Sequence, residues 1–197
     1  MTTRLVYFLI IFIFTSKLIA ADIPIIVISA GKTPQSKSTV GSDVSIIDSN
    51  DLAKSNEYFI GDILSENVMG MNYFQSGGYG TTSGIQLRGQ PKRYSTVYIN
   101  GIKLSDPSTP SNDYYFGNLM NNSFESIEVL KGSQSTLYGS GAIAGTINLF
   151  TKKGREGHHR TVDLSEGSFG TRNLNAAFDG TLDKFDYFVN ITNFSSD

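Results

Sequence analysis

Residues 124–152, Phe-Glu-Ser-Ile-Glu-Val-Leu-Lys-Gly-Ser-Gln-Ser-Thr-Leu-Tyr-Gly-Ser-Gly-Ala-Ile-Ala-Gly-Thr-Ile-Asn-Leu-Phe-Thr-Lys, constrain the fold more than any other stretch. Two strand-length runs, 127–130 and 146–151, enclose a centre of Gly, Ser and Ala that must be tightly turned. Gly132, Gly139, Gly141 and Gly145 allow positive φ and close backbone approach. Such a segment suits a small domain packed inside something larger.

Composition narrows the class. The chain has 197 residues and 39% hydrophobic content, enough for one moderate core and far from a disordered composition. A net charge of -2 gives no electrostatic reason for a nucleic-acid partner. Its 20 glycines, 13 phenylalanines and 10 tyrosines against 5 prolines favour strands and turns over long helices. With no cysteine, disulfides and thiol chemistry are excluded. Arg4, an apolar run over residues 5–14 and the small residues Ala20 and Ala21 before Asp22 read as a cleaved secretory signal peptide over residues 1–21.

The runs Glu-Val-Leu-Lys-Gly at 128–132, Leu-Tyr-Gly-Ser at 137–140 and Ala-Ile-Ala-Gly-Thr-Ile-Asn at 142–148 resemble the end of the plug domain of a TonB-dependent outer-membrane receptor. Within that family they are most similar to the cobalamin-receptor type. The resemblance implies an α+β plug domain, a small mixed sheet with short helices, followed by the first antiparallel strands of a transmembrane β-barrel. It also implies active uptake of a scarce nutrient, cobalamin or a ferric siderophore, in the cell outer membrane, with TonB of the inner-membrane energy-transducing complex as partner. The expected organisation is signal peptide 1–21, TonB box and linker 22–42, plug 43–153, and a truncated barrel start at 154–197.

Immediately after the signal peptide comes Asp-Ile-Pro-Ile-Ile-Val-Ile-Ser-Ala, an extended apolar strip suited to adding to another protein's sheet edge. The resemblance makes Ile25, Ile26, Val27, Ile28, Ser29 and Ala30 the TonB-binding segment; an ordinary first strand gives the same pattern. Polar residues 31–42 read as a linker that lets the strip detach. A strand at 44–48 is followed by a helix starting near Ser49 or Asn50, and a helical stripe over 58–64 has Ser55 or Asn56 as its cap. Residues 85–89 and 95–104 read as a pair of strands, the second turning at Asn100-Gly101.

The resemblance assigns Arg88, Glu128 and Lys131 to plug–barrel docking. A lysine lacks the guanidinium fork, so docking is expected to be looser at Lys131, and a weak surface ion pair is a readier alternative there than at Arg88. Gly77, Gly78, Tyr79 and Gly80, in a Gly-rich loop over 76–84, and Asp106, Asp113 and Tyr114, in the loop over 104–115, are the expected substrate-facing residues. Asp106 and Asp113 offer oxygen ligands of the kind calcium takes, but the spacing matches no defined ion loop, so no cofactor or metal is expected.

From residue 160 three segments alternate apolar and polar. Phe185, Tyr187, Val189 and Ile191 share one face, with Phe188 as the exception. That is the dyad pattern of a barrel strand, although a soluble antiparallel sheet shows it too. Catalytic signals are poor: His158 and His159 are neighbours and cannot serve one site from one strand, and residues 139–145 are one residue too long for a dinucleotide fingerprint. Two alternatives carry their own expectations: a stand-alone soluble plug-derived periplasmic binding module, and a small exported hydrolase using Asp106 and Asp113.

Overall fold

The computed structural model describes residues 25–110 and 114–197. The signal-peptide expectation, the first residues of the strip and Asp113 lie outside these. Five strands form the central sheet in the order β3-β8-β9-β6-β7, with β3 at Asp43–Ile47, β6 at Ser95–Ile99, β7 at Ile102–Leu104, β8 at Phe124–Lys131 and β9 at Gly145–Thr151. Neighbours are antiparallel except β6 and β9, which run parallel, so the sheet is mixed. Its alternating residues explain its two faces. Ile47, Val97, Ile127, Val129, Ile147 and Leu149 are buried against two short helices, α1 (Ser49–Lys54) and α2 (Ile60–Asn67), which contribute Leu52, Ile60, Ile63, Leu64 and the following Val68. Glu128, Asn148 and Tyr98 pair across the ladder on the other face.

The first helix begins at Ser49, as expected, and the second begins later than its stripe, each for a local reason. Asp48, not Ser49 or Asn50, caps α1: its carboxylate accepts the amides of Asn50 (2.8 Å) and Asp51 (2.9 Å), and Asp51 returns the bond. The stripe at 58–64 becomes helical only from Ile60. The backbone before it is held extended, with Asn121 N donating to Tyr58 O and Ile60 N to Leu119 O, and the Ser55 hydroxyl accepts Glu57 N instead of capping the helix.

A hairpin, β4 (Met71–Gln75) with β5 (Ser83–Leu87), carries the Gly-rich loop at its tip. Of the two expected strands, β5 thus pairs with β4, while β6 lies in the central sheet. The Asn100-Gly101 turn joins β6 to β7 as expected, with both residues at positive φ (48° and 84°). The short helix α3 (Ser135–Tyr138) fills the turned centre between β8 and β9.

Residues 31–42 do not form a free linker. They fold back so that β2 (Gln35–Ser36) pairs antiparallel with β1 (Ile26–Val27), and Lys37 N donates to Ile25 O at 2.7 Å. Val27 is drawn into a small apolar cluster with Val44 and Leu130. Burying that side chain offsets part of the entropy lost when residues 31–42 are held in place.

The last part is a three-stranded antiparallel meander, β10 (His158–Glu166), β11 (Arg172–Leu182) and β12 (Phe185–Ser195), with unbroken register along its length. Nine to eleven residues per strand correspond to roughly 30–36 Å. Among the described residues no helix is long and apolar enough to cross a membrane.

Candidate functional site

The meander is inside out. Leu164 and Phe185 are 76% and 79% exposed, and Val162, Leu182 and Ile191 are also exposed. Asn175 and Asp179 on the opposite face are 5% and 3% exposed and face the first domain. Polar side chains satisfy one another there: Asn175 donates to Asp163 at 2.9 Å and accepts from Asn190 and Thr192. Further bonds cross to the first domain, from Tyr58 OH to Ser165 Oγ (3.1 Å) and Asn122 Nδ2 to Thr192 Oγ1 (3.3 Å). Arg155 grips Asp179 with two guanidinium nitrogens at 2.7 and 2.8 Å. The exceptional Phe188 faces inward and lies under the Lys152 ammonium, 5.9 Å from the ring centre. A sheet with an apolar outer face and a polar inner one has the polarity of a wall between lipid and an aqueous lumen.

The strip sits at one end of this wall. The Glu128 carboxylate accepts the amides of Ile28 (3.0 and 3.1 Å to its two oxygens) and Ser29 (2.7 Å), and Tyr138 OH donates to Ser29 O at 2.6 Å. With the β2 ladder on residues 26 and 27, most of the backbone available to a partner strand is occupied. Ile25, Ile26 and Ile28 remain exposed, Val27 and Ser29 are buried, and Ala30 packs partly on the small cluster. A cavity of about 770 Å³ beside the strip is lined by Ile28, Tyr98, Tyr138 and Lys153, next to the segment that leads into β10. Glu128 was expected to serve docking to a barrel wall; the structure points it at the strip.

Arg88 and Lys131 converge on one carboxylate that sequence reasoning passed over, Asp43. Arg88 Nη2 lies 2.7 Å and Lys131 Nζ 3.2 Å from the same oxygen, Asp43 Oδ2. The Arg88-Gly89 turn, with both residues at positive φ, aims the guanidinium there, and the β3–β8 register sets Asp43 opposite Lys131. The burial order reverses expectation: the Lys131 side chain is 8% exposed and that of Arg88 49%. Burial pushes the Asp43 carboxyl up, but Lys131 and Arg88 outweigh it and hold the group below its ordinary 3.8.

A depressed folded value means that this stabilisation is present above pH 3.8 and is lost as pH falls through the lower folded value. We expect Asp43→Asn to cost roughly 1–2 kcal/mol near neutrality, less than a fully buried pair because Asp43 is half-exposed. Thermal melts of the purified protein at pH 6 and pH 3 check it. The variant should lose less than the parent on acidification, and identical pH dependence would dismiss the clasp.

The Gly-rich loop lies at the other end. Tyr79 stacks on Phe59 at 4.7 Å, and Phe194 of β12 packs edge-on to both at 5.2 Å. The loop is a closed hairpin tip, with Ser76 N donating to Thr82 O and Thr81 to Gly78 O. Gly77, Gly78 and Gly80 stand exposed there, Gly80 at φ +81. Asp106 is partly exposed and engaged in its own turn, accepting from Ser108 N and Oγ. Tyr114 is drawn inward, half-buried and edge-on to Phe116 at 5.4 Å, so its ring serves the core. His158 and His159 make unrelated contacts, with Tyr187 OH and Glu156 O. Among the described residues no three of His, Cys, Asp or Glu gather as a metal set would.

The domain built on the central sheet corresponds to a known family. The model of the TonB-dependent receptor plug domain matches residues 36–146. The chain belongs to this plug family. The vitamin B12 transporter BtuB of Vibrio cholerae is 28% identical over 152 residues, which cover 77% of this chain and 24% of that protein. The plug-family chain thus spans about a quarter of the length of the curated relatives it matches. Its fold matches the ferripyoverdine receptor of Pseudomonas aeruginosa with a TM-score of 0.67 at 20% identity, over 81% of this chain and 20% of that one. The ferric-catecholate import receptor Fiu of E. coli K12 gives 0.65 at 20% identity, over 84% and 22%.

Proposed function

We propose that this chain is the N-terminal part of a TonB-dependent outer-membrane receptor for a scarce nutrient, cobalamin or a ferric siderophore, and acts without catalysing a reaction. The observation that carries the reading is the inside-out meander packed on the plug. In a soluble plug-derived module, Leu164, Phe178, Leu182, Phe185, Val189 and Ile191 would all face water on one sheet. As the opening strands of a barrel they face lipid, and β10–β12 have the right length for a tilted span.

Residues 1–21 direct export and are removed. The strip at 25–30 is the segment TonB takes by strand addition, and residues 77–80 with the 104–115 loop look outward to the nutrient. Arg88 and Lys131, gathered on Asp43, brace the plug where it meets the barrel. Capture by the immobilised periplasmic domain of TonB tests the assignment. The solubilised receptor should be retained, and a variant lacking residues 25–30 should not. Equal retention of both would remove the strip from its role.

A further inference from the structure

A cup with charge of a single sign opens beside the hairpin tip. A cavity of about 690 Å³ opens between the Gly-rich hairpin tip and the far end of β12, lined by Glu57, Asp62, Gln75, Tyr79, Phe169 and Phe194 among others. Two features coincide in it. Phe169, at the β10–β11 turn, is 81% exposed, and Tyr79 is also exposed, so the cup presents aromatic surface that the protein itself leaves uncovered. Its charged side chains are all carboxylates, with no Lys, Arg or His among the described lining residues. Burial, then repulsion from Asp62 and Glu66, pushes the Glu57 carboxyl up; burial, then Glu66, does the same to Asp62. Lys54 lines an adjoining depression with Glu57 and Glu66. The ion pairs on Asp43 and Asp179 lie elsewhere.

We propose that this cup admits a neutral or cationic metal complex with apolar and N–H-bearing surface and turns away polyanionic ferric chelates. The inference rests on the receptor reading and specifies its substrate class. Flat apolar parts of such a complex cover Tyr79, Phe169 and Phe194, while amide or ammonium donors meet Glu57 and Asp62. A tricatecholate complex, with three negative charges, would bring like charge against the carboxylates of Glu57, Asp62 and Asp197 in a partly desolvated cavity.

The test is equilibrium dialysis of the solubilised receptor against three probes: neutral cyanocobalamin, the cationic hydroxamate complex ferrioxamine B, and trianionic ferric enterobactin. One of the first two should bind at least about tenfold more tightly than the third, with the gap narrowing as salt is raised. The double variant Glu57→Gln, Asp62→Asn keeps side-chain shape and should shrink the gap by about tenfold. Tightest binding of ferric enterobactin overturns the inference while leaving the receptor reading standing. So does an affinity gap that the double variant leaves unchanged. If no probe binds and TonB does not retain the protein, the receptor reading itself fails.

Discussion

On the receptor reading proposed above, a Glu128→Gln variant is expected to bind the periplasmic domain of TonB roughly 30- to 150-fold more tightly than the parent in the absence of nutrient. The figure follows from the geometry. Glu128 accepts the amides of Ile28 and Ser29 with both carboxylate oxygens, and losing the charge from such bonds costs roughly 2–3 kcal/mol of docking free energy. If TonB pairs only with the released strip, that free energy is a conformational penalty on its binding, and removing it appears as affinity. Tyr138→Phe, which deletes only the donor to Ser29 O, should give a smaller gain in the same direction, about fivefold. Limited proteolysis at residues 25–30 reports the release without TonB. A strip as protected in Glu128→Gln as in the parent would show that the carboxylate does not hold it.

The second large effect concerns the fold. Gly145→Ala should prevent the plug from reaching its native state, with a cost of about 4 kcal/mol or more. A Cβ at this position would fall on the Leu130 carbonyl oxygen and on Leu87 Cδ2, well inside contact distance. The backbone is also at φ +156, so the strain has two sources. Relief is blocked because Gly145 is laddered on both sides, opposite Lys131 of β8 and Ser95 of β6. Heat-resistant, protease-resistant receptor in outer-membrane fractions should be lost. Gly41→Ala, where a Cβ meets nothing within 4 Å, is the matched control.

The legible parts of this chain were those where local chemistry decides. The Asn100-Gly101 turn, the two strands around the small-residue centre and the dyad pattern of β12 are each written in neighbouring residues, and each forms as the pattern implies. What escaped was set by distant partners. Nothing near Gln35 announces that it pairs with Val27, because the two-residue ladder depends on Val27 finding Val44 and Leu130. The start of α2 depends on residues 119–121, about sixty positions away. Asp43 looked like an unremarkable strand-leading acid until the β3–β8 register set it opposite Lys131 and the left-handed Arg88 turn brought the guanidinium across. The same register argument separates Glu128 from Lys131: three residues apart in one strand, they face opposite sides of the sheet.

The docked strip has a mechanical consequence. A pull on the N-terminal side of residue 25 loads the two-residue β1–β2 ladder from one end, then the Glu128 bonds, then Tyr138, so each gives way singly at small force. The central sheet is arranged otherwise. Traction passed on through residues 37–43 reaches β3, whose five paired positions with β8 resist together if the load runs along the strand. The chain thus contains a zipper in series with a shear joint, and tension that opens the first can leave the second intact.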